Sequence, residues 1–180
     1  MDPAHERDNT LSTLQAATTW LEHSVGEQLI PPEGISFGFA IRGARDTGGV
    51  AAVAGGIQTS LGGKIHAGLC AFGTDEPVVR IILTVMKFNP VIRSAAILQF
   101  SVRALAVFEN DLFLECASQK AVAADPGIST MDWGIASCCE DDVPDVIFRQ
   151  GDDSAGSRII ILGEKPADVT NNIIICSHRI

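Results

Sequence analysis

Residues 72–101 constrain the fold more than any other part of the chain. Thr74 or Asp75 can cap a helix, because a short oxygen-bearing side chain accepts a hydrogen bond from an unpaired N–H group. Pro77 suits the first helical position, where a missing N–H group costs nothing. Residues 78–88 are almost all apolar. The sequence therefore predicts a helix that is buried on most sides.

Three polar residues interrupt this helix, and the chain then turns. Arg80, Thr84 and Lys87 recur at spacings of four and three, so we expect them to form one narrow polar stripe. Pro90 ends the helix, because the residue before a proline avoids the α region. Residues 95–100 then read as a short interior strand, and periodicity alone leaves a buried helical segment open as the alternative.

Composition and charge narrow the classes of function. The chain has 180 residues, of which 46% are hydrophobic, and this suits one domain over 10–180 after a flexible N-terminus at 1–9. The net charge of −9 argues against a general nucleic-acid surface. A strongly anionic ligand would need a local cationic pocket. We find no signal peptide and no apolar run of about 18 residues, so we expect a cytoplasmic protein without a membrane partner.

Cysteine and histidine spacings do not indicate a metal or redox site. The five cysteines include no C-x-x-C pair, which favours reduced thiols that are mostly buried. The four histidines form no ligand pair at helical spacing. We therefore expect neither a metal nor a cofactor.

Helix and strand signals interleave along the chain. The glycine-rich stretch 43–56 lacks both nucleotide-binding glycine patterns and is expected to be a flexible loop or a loop that contacts a ligand. The interleaving argues for an α/β fold with helices on both faces of the sheet, which a hairpin at 57–69 makes mixed. The other predicted helices are 10–28, 102–110, 130–139 and 166–176, and the other predicted strands are 35–41, 112–117, 145–150 and 158–162.

Four blocks in the order VVRIILTVMKFNPVIRSA, STMDWG, VPDVIF and IIILGEKPADV resemble the ThiN domain, the archaeal-type thiamine-phosphate synthase. That domain is found most often as the C-terminal part of a fused hydroxymethylpyrimidine phosphate kinase. The resemblance implies a three-layer α/β/α sandwich with a mixed sheet, of the class II aldolase-like kind. It also implies a reaction that joins a pyrimidine pyrophosphate to a thiazole phosphate, releasing pyrophosphate, in a protein that is commonly a homodimer.

The residues that the resemblance marks as functional are mostly replaced. The family's key arginine and histidine positions are Gly56 and Pro77 in this chain. The late loop, in which the family offers a lysine and a glutamate, carries two aspartates within 151–156. We therefore predict no catalytic residue. The residues that we expect to contact a ligand are Gly56, Gly73, Thr74, Asp75, Arg80, Arg93, Gln99, Ser101, Gly151, Asp152 and Ser154.

Three hypotheses for the function follow. The first is a non-catalytic binder or sensor of a phosphorylated small molecule, thiamine phosphate or a precursor. The second is an active thiamine-phosphate synthase or another transferase with relocated groups, for which Asp152, Asp153 and His66 are the first residues to test. The third is a structural or oligomerisation domain with a decayed pocket, in which Ile97, Leu98 or Phe100 would fill the cleft.

Overall fold

The computed structural model describes residues 2–119, 132–151 and 156–180. The helices in these ranges are α1 (Pro3–Ser24), α2 (Pro77–Phe88), α3 (Val102–Ala106), α4 (Trp133–Ala136) and α5 (Pro166–Arg179). The strands are β1 (Ser36–Ala40), β2 (Val50–Val53), β3 (Ile57–Thr59), β4 (Ile65–Ala67), β5 (Cys70–Phe72), β6 (Ser94–Gln99), β7 (Cys116–Ser118), β8 (Val146–Arg149) and β9 (Arg158–Gly163). None of the described helices combines the length and the apolar character that crossing a bilayer requires.

Seven strands form one sheet in the order β5-β2-β1-β6-β9-β8-β7. Among the described strands, β7 and β8 pair in parallel and the other neighbours are antiparallel. The hairpin β3–β4 forms as predicted, but it is a separate ribbon that one bridge, Ile35 to Ile57, joins to the start of β1. The mixed character of the sheet therefore comes from β7 and β8, and the expectation that the hairpin supplies it is wrong.

Helices cover both faces of the sheet, as predicted. Alternate residues of β6 separate the two cores, since successive side chains of a strand point to opposite faces. Ala96 and Leu98 pack with α1 and α5, whereas Ala95 packs with α2. The result is a three-layer α/β/α sandwich, which confirms the predicted fold class.

Helix α2 is the buried helix that the sequence predicts. It spans Pro77–Phe88, and eight of its residues are buried. Its N-cap is Glu76 rather than Thr74 or Asp75, and the cap residue's side chain makes no capping bond. Instead the hydroxyl of Ser36, on β1, accepts a hydrogen bond of 3.2 Å from the Val78 N–H group. The helix is thus capped across the fold, a contact that local sequence does not reveal.

The glycine-rich stretch 43–56 contains a buried strand that the sequence reading missed. Strand β2 lies in the sheet between β1 and β5, and all four of its residues are buried. Close packing explains the small residues around it. A Cβ atom on Gly38 of β1 would lie 2.9 Å from the Ala51 carbonyl oxygen, so the glycine allows the two backbones to approach closely.

The first helix begins earlier than predicted. It starts at Pro3, where the Asp2 carboxylate caps the Ala4 N–H group at 3.2 Å, so residues 3–9 are helical rather than irregular. Contacts hold these turns in place: the Arg7 guanidinium lies 3.9 Å from the centre of the Phe72 ring. Thr10, the first residue of the predicted helix, lies inside α1, and its hydroxyl donates to the Glu6 carbonyl.

Two later elements are shorter than predicted. The chain from Val107 to Asp111 forms a π-helical turn, Phe113 has a φ of 55°, and β7 begins only at Cys116. Helix α4 covers Trp133–Ala136 and has Asp132 as its N-cap. The first two residues of the predicted helix, 130 and 131, lie outside the described residues.

Candidate functional site

A cleft of about 310 Å³ opens between the start of α2 and the ends of β6, β8 and β9. Ile97 and Ile160 form its floor, and Pro77, Ile81 and Ile135 form apolar walls. The full lining is Glu33, Gly34, Ser36, Pro77, Ile81, Ile97, Gln119, Asp132, Ile135, Arg149, Arg158 and Ile160. The cleft is therefore apolar at its base and polar at its mouth, the usual composition of a small-molecule site.

The register of three strands creates the polar mouth. Arg158 on β9 lies opposite Gln99 on β6 and opposite Arg149 on β8. Residues directly opposite each other in antiparallel strands share one face of the sheet. The next row on that face contains the floor residues Ile97 and Ile160. An amide and two guanidinium groups thus stand side by side at the edge of the cleft.

Arg158 is held by a bidentate ion pair with Glu33. Its Nε and Nη2 atoms donate to the two carboxylate oxygens at 2.7 and 2.8 Å. The Arg158 side chain is 12% exposed, whereas that of Glu33 is 54% exposed. Arg149 is exposed and donates from Nε to the Gly156 carbonyl at 2.6 Å. Arg158, the more buried arginine, is therefore paired with a carboxylate. Arg149, the more exposed one, donates a hydrogen bond to a backbone carbonyl.

The opposite wall is joined to α2 through Thr84. The Asp132 N–H group donates to the Thr84 hydroxyl at 2.8 Å, and that hydroxyl donates to the Arg80 carbonyl at 2.9 Å. The Asp132 carboxylate accepts from the Ile135 N–H group at 3.1 Å, as an N-cap. Thr84 is fully buried, so the predicted polar stripe of α2 is solvent-exposed only at Arg80 and Lys87.

Gly56, at the family's arginine position, lies next to the cleft but has no room for a side chain. Its φ is +72°, a backbone conformation that favours glycine. A Cβ atom there would lie 2.7 Å from the carbonyl oxygen of Ile35. The backbone around Gly56 is therefore shaped for glycine. Pro77, at the histidine position, does line the cleft, and as the first residue of α2 it is exposed.

The residues at 73–75 lie before α2 and make mostly backbone contacts. The Gly73 N–H group donates to the Thr47 carbonyl at 3.2 Å. Within the described part of the chain, Thr74 has the one buried side-chain oxygen without a hydrogen bond. Asp75 is exposed, and the neighbouring Glu76 carboxylate accepts from the Gly55 N–H group at 2.8 Å. This segment therefore links the turn containing Gly56 to the start of the helix without lining the cleft.

The remaining predicted ligand contacts are dispersed. Arg80 is exposed on α2 one residue before Ile81, a wall of the cleft. The Ser101 hydroxyl caps α3 by accepting from the Ala104 N–H group, and the Gly151 N–H group donates to the Ser157 hydroxyl. Asp152 and Ser154 lie outside the described residues, as does Asp153. His66 is exposed on β4, in the separate hairpin.

Arg93 lies at the far end of the sheet from the cleft. It precedes β6, and Gln99 ends that strand, so the two positions are about 20 Å apart at the usual rise per residue. Its guanidinium donates to the Ala40 carbonyl at 2.8 Å and lies 4.7 Å from the centre of the Phe39 ring. Burial lowers the pKa of Arg93 from its ordinary value, and nearby Arg42 adds to this effect. Arg93 thus has a packing role that its position in the sequence does not show.

The cysteines are free thiols, and two of the five, Cys139 and Cys176, are buried. Burial raises the pKa of Cys176 to about 12 and is the main cause that raises the pKa values of Cys116 and Cys139 to about 11. Thiols with such pKa values stay protonated near neutrality and are poor nucleophiles. Within residues 2–119, 132–151 and 156–180, no three histidine, cysteine or carboxylate side chains come together as a metal site.

The sequence reading missed both cleft arginines, although a signal for them was present. Arg149 lies at the end of one predicted strand and Arg158 at the start of the next, with a short loop between them. Antiparallel pairing of such strands places their loop-proximal residues opposite each other. Glu33 offered no comparable signal, because its partner lies far away in the sequence.

Comparisons with known proteins identify a family and a relative that this chain resembles in sequence. The family model described as thiamine-phosphate synthase ThiN matches residues 13–175. The bifunctional thiamine biosynthesis protein ThiDN of Methanocaldococcus jannaschii is 30% identical over 148 residues, which is 81% of this chain and 35% of that protein. The chain thus spans about a third of the length of that relative.

Solved structures share the fold. The crystallised C-terminal domain of a Methanocaldococcus jannaschii protein superposes with a TM-score of 0.84 at 25% identity, covering 96% of this chain and 95% of that one. The C-terminal domain of phosphomethylpyrimidine kinase superposes with a TM-score of 0.82 at 23% identity, covering 95% of this chain and 100% of that one. A sugar-phosphate aldolase from Thermotoga maritima superposes with a TM-score of 0.55 at 11% identity, covering 96% of this chain and 92% of that one. The fold is therefore aldolase-like. Because the family model covers most of its length, the chain belongs to the thiamine-phosphate synthase ThiN family.

Proposed function

We propose that this ThiN-family domain binds thiamine phosphate, or a related phosphorylated small molecule, without catalysing the synthase reaction. The observation that carries the proposal is the cleft, which has two arginines at its mouth and an apolar floor. Guanidinium groups are well suited to phosphate, because their N–H groups match its oxygens in pairs. A heterocycle can occupy the apolar part of the same cleft while its phosphate stays at the mouth.

An open cleft also weighs against a decayed pocket. Ile97 contributes to the floor, and the described residues leave the cavity above it unfilled. Leu98 and Phe100 pack in the core on the other side of the sheet. The three residues that a decayed pocket would use to fill the cleft therefore do not fill it.

Loss of catalysis is inferred from Gly56 and Pro77. The departing pyrophosphate needs cationic or hydrogen-bonding groups that are aimed at its developing charge, and losing one such donor costs on the order of 10²–10³ in rate. The resemblance implies that the family's arginine and histidine are both absent here. Their absence leaves binding as the function that the remaining residues support.

An active synthase is the second candidate, because Arg149 and Arg158 place cations in the cleft. In that case these arginines replace the missing groups as stabilisers of pyrophosphate. The binding proposal is favoured because glycine and proline stand at Gly56 and Pro77, where the resemblance implies the family's arginine and histidine. We further propose a homodimer, as the resemblance implies, with one ThiN-like domain over residues 10–180. A cytoplasmic location is proposed from the sequence, which shows neither a signal peptide nor a long apolar run.

Calorimetric titration with thiamine phosphate tests the proposal. We expect saturable binding to the unaltered protein and an affinity at least about tenfold lower for Arg149→Gln, which removes one charge-assisted phosphate contact. Arg179→Gln is the matched control, since Arg179 is an exposed arginine in another ion pair, with Asp111. Its affinity should equal that of the unaltered protein.

A parallel assay for pyrophosphate release, with both family precursors present, should show no turnover above the protein-free background. Pyrophosphate formed in proportion to protein concentration would overturn the non-catalytic proposal in favour of the synthase. Absence of binding by thiamine phosphate and by both precursors would overturn it in favour of a decayed pocket.

A further inference from the structure

The mouth of the cleft contains two neighbouring arginines, one of which forms an ion pair with Glu33. Arg149 and Arg158 lie directly opposite each other on neighbouring strands. Like charges in that position repel. Glu33 supplies a carboxylate to Arg158 only, with both of its oxygens engaged by the one guanidinium group. Within the described residues, Glu33 is thus the carboxylate seen on Arg158, while Asp132, the other carboxylate that lines the cleft, accepts from the Ile135 N–H group.

The two members of this ion pair differ sharply in exposure. The Arg158 side chain is 12% exposed, and its Nη1 atom also donates to the Ser157 carbonyl at 2.6 Å, so the guanidinium is fixed by its surroundings. The Glu33 side chain is 54% exposed and belongs to a turn just before β1, in which the Gly34 N–H group bonds to the Pro31 carbonyl. Glu33 can therefore swing into water while the arginine stays in place.

A phosphate monoester fits the place that Glu33 would leave. Guanidinium binds a phosphate in the same two-point geometry as a carboxylate. A phosphate monoester carries about −1.5 to −2 charges near neutral pH, as a phosphorylated side chain does, so it can neutralise both arginines, which one carboxylate cannot. The third phosphate oxygen remains available for Arg149.

We propose that Glu33 is an exchangeable internal anion: the phosphate of the ligand displaces its carboxylate from Arg158 and bridges Arg158 to Arg149. This inference rests on the proposed function, because it assigns the phosphate position within the same cleft. Glu33 then lowers the affinity for phosphate by competing for Arg158. The ligand class is a phosphate monoester, with the phosphate at the mouth and the heterocyclic portion toward the apolar floor.

Removing the competing carboxylate tests this exchange. We would titrate thiamine phosphate, inorganic phosphate and unphosphorylated thiamine into the unaltered protein and into Glu33→Gln. The dissociation constants of both phosphate probes should fall about five- to tenfold, the scale expected for release of one partly exposed charge pair. Binding of thiamine, which lacks the phosphate, should not become tighter. Asp111→Asn is the matched control, because it also removes one carboxylate from an exposed ion pair but far from the cleft.

A double-mutant cycle separates competition from a general change in charge. In an Arg158→Gln background, which removes the guanidinium for which Glu33 and the phosphate compete, Glu33→Gln should improve phosphate binding by less than twofold. A full five- to tenfold gain in that background would overturn the exchange at Arg158. Thermal unfolding of each variant checks that it is folded before titration.

The outcomes distinguish this inference from the proposed function. If the unaltered protein binds thiamine phosphate but Glu33→Gln gains nothing over Asp111→Asn, the exchange is refuted and the binding function stands. If no phosphate probe binds either the unaltered protein or Glu33→Gln, both proposals are refuted. Tighter phosphate binding in Glu33→Gln alone, with the control unchanged, supports both.

Discussion

Replacing Gly56 by alanine tests whether the family's arginine position has been rebuilt for glycine. The φ of +72° costs a residue with a Cβ atom about 1–2 kcal/mol. The added atom would lie 2.7 Å from the Ile35 carbonyl oxygen, which also accepts from the Ile57 N–H group at 2.9 Å. Moving that oxygen weakens a hydrogen bond worth about 0.5–1.5 kcal/mol. We expect Gly56→Ala to destabilise the protein by about 2–3 kcal/mol in total.

Gly43 provides the matched control. Its φ is +69°, and a Cβ atom there would meet nothing within 4 Å. Gly43→Ala should therefore show only the conformational cost of about 1–2 kcal/mol. Urea unfolding of both variants, analysed at a common slope, gives the difference. Equal or smaller destabilisation by Gly56→Ala would refute the steric argument, and with it the claim that an arginine cannot simply be restored there.

Three other predictions concern stability and reactivity. Ser36→Ala leaves the buried Val78 N–H group without its acceptor, so urea unfolding should show a loss of about 1–3 kcal/mol; no loss would show that α2 does not need this cap. Arg93→Ala should lower the melting temperature through lost packing on Phe39 but leave the affinity for thiamine phosphate unchanged, and weaker binding would contradict its placement away from the cleft. Cys176, with its pKa raised to about 12, should resist alkylation in the folded protein. The thiol ionises near pH 9 in the unfolded chain, so its contribution to stability is present below that pH and is lost as the pH rises towards about 12. Between these pH values, urea unfolding should show a smaller loss of stability for Cys176→Ala than for the unaltered protein.

The parts of the fold that were predicted correctly are those with strong local signals. Helix α2 combines a proline at its first turn with a long apolar run, and β9 is a continuous apolar strand, so local sequence sufficed for both. Strand β2 was missed because short-range composition around it is dominated by glycine and alanine, which usually indicate a loop. Its strand conformation depends on pairing with β1 and β5, and those partners lie elsewhere in the chain.

The candidate site shows the same division. The resemblance directed attention to Gly56 and Pro77, and the structure places one beside the cleft and the other on its wall. It could not indicate Arg149 and Arg158, because their proximity comes from the register of β8 on β9. Glu33 joins them only through the tertiary fold. A site formed by residues from distant segments cannot be predicted from local sequence patterns alone.

The central claim, binding without synthesis, is tested most directly by phosphorus NMR of the protein with the pyrimidine pyrophosphate and the thiazole phosphate together. We predict that resonances of the precursor phosphates broaden or shift as protein is added, and that no signals of free pyrophosphate or thiamine phosphate grow with time. Stoichiometric appearance of both product signals at a rate that follows protein concentration would contradict the claim.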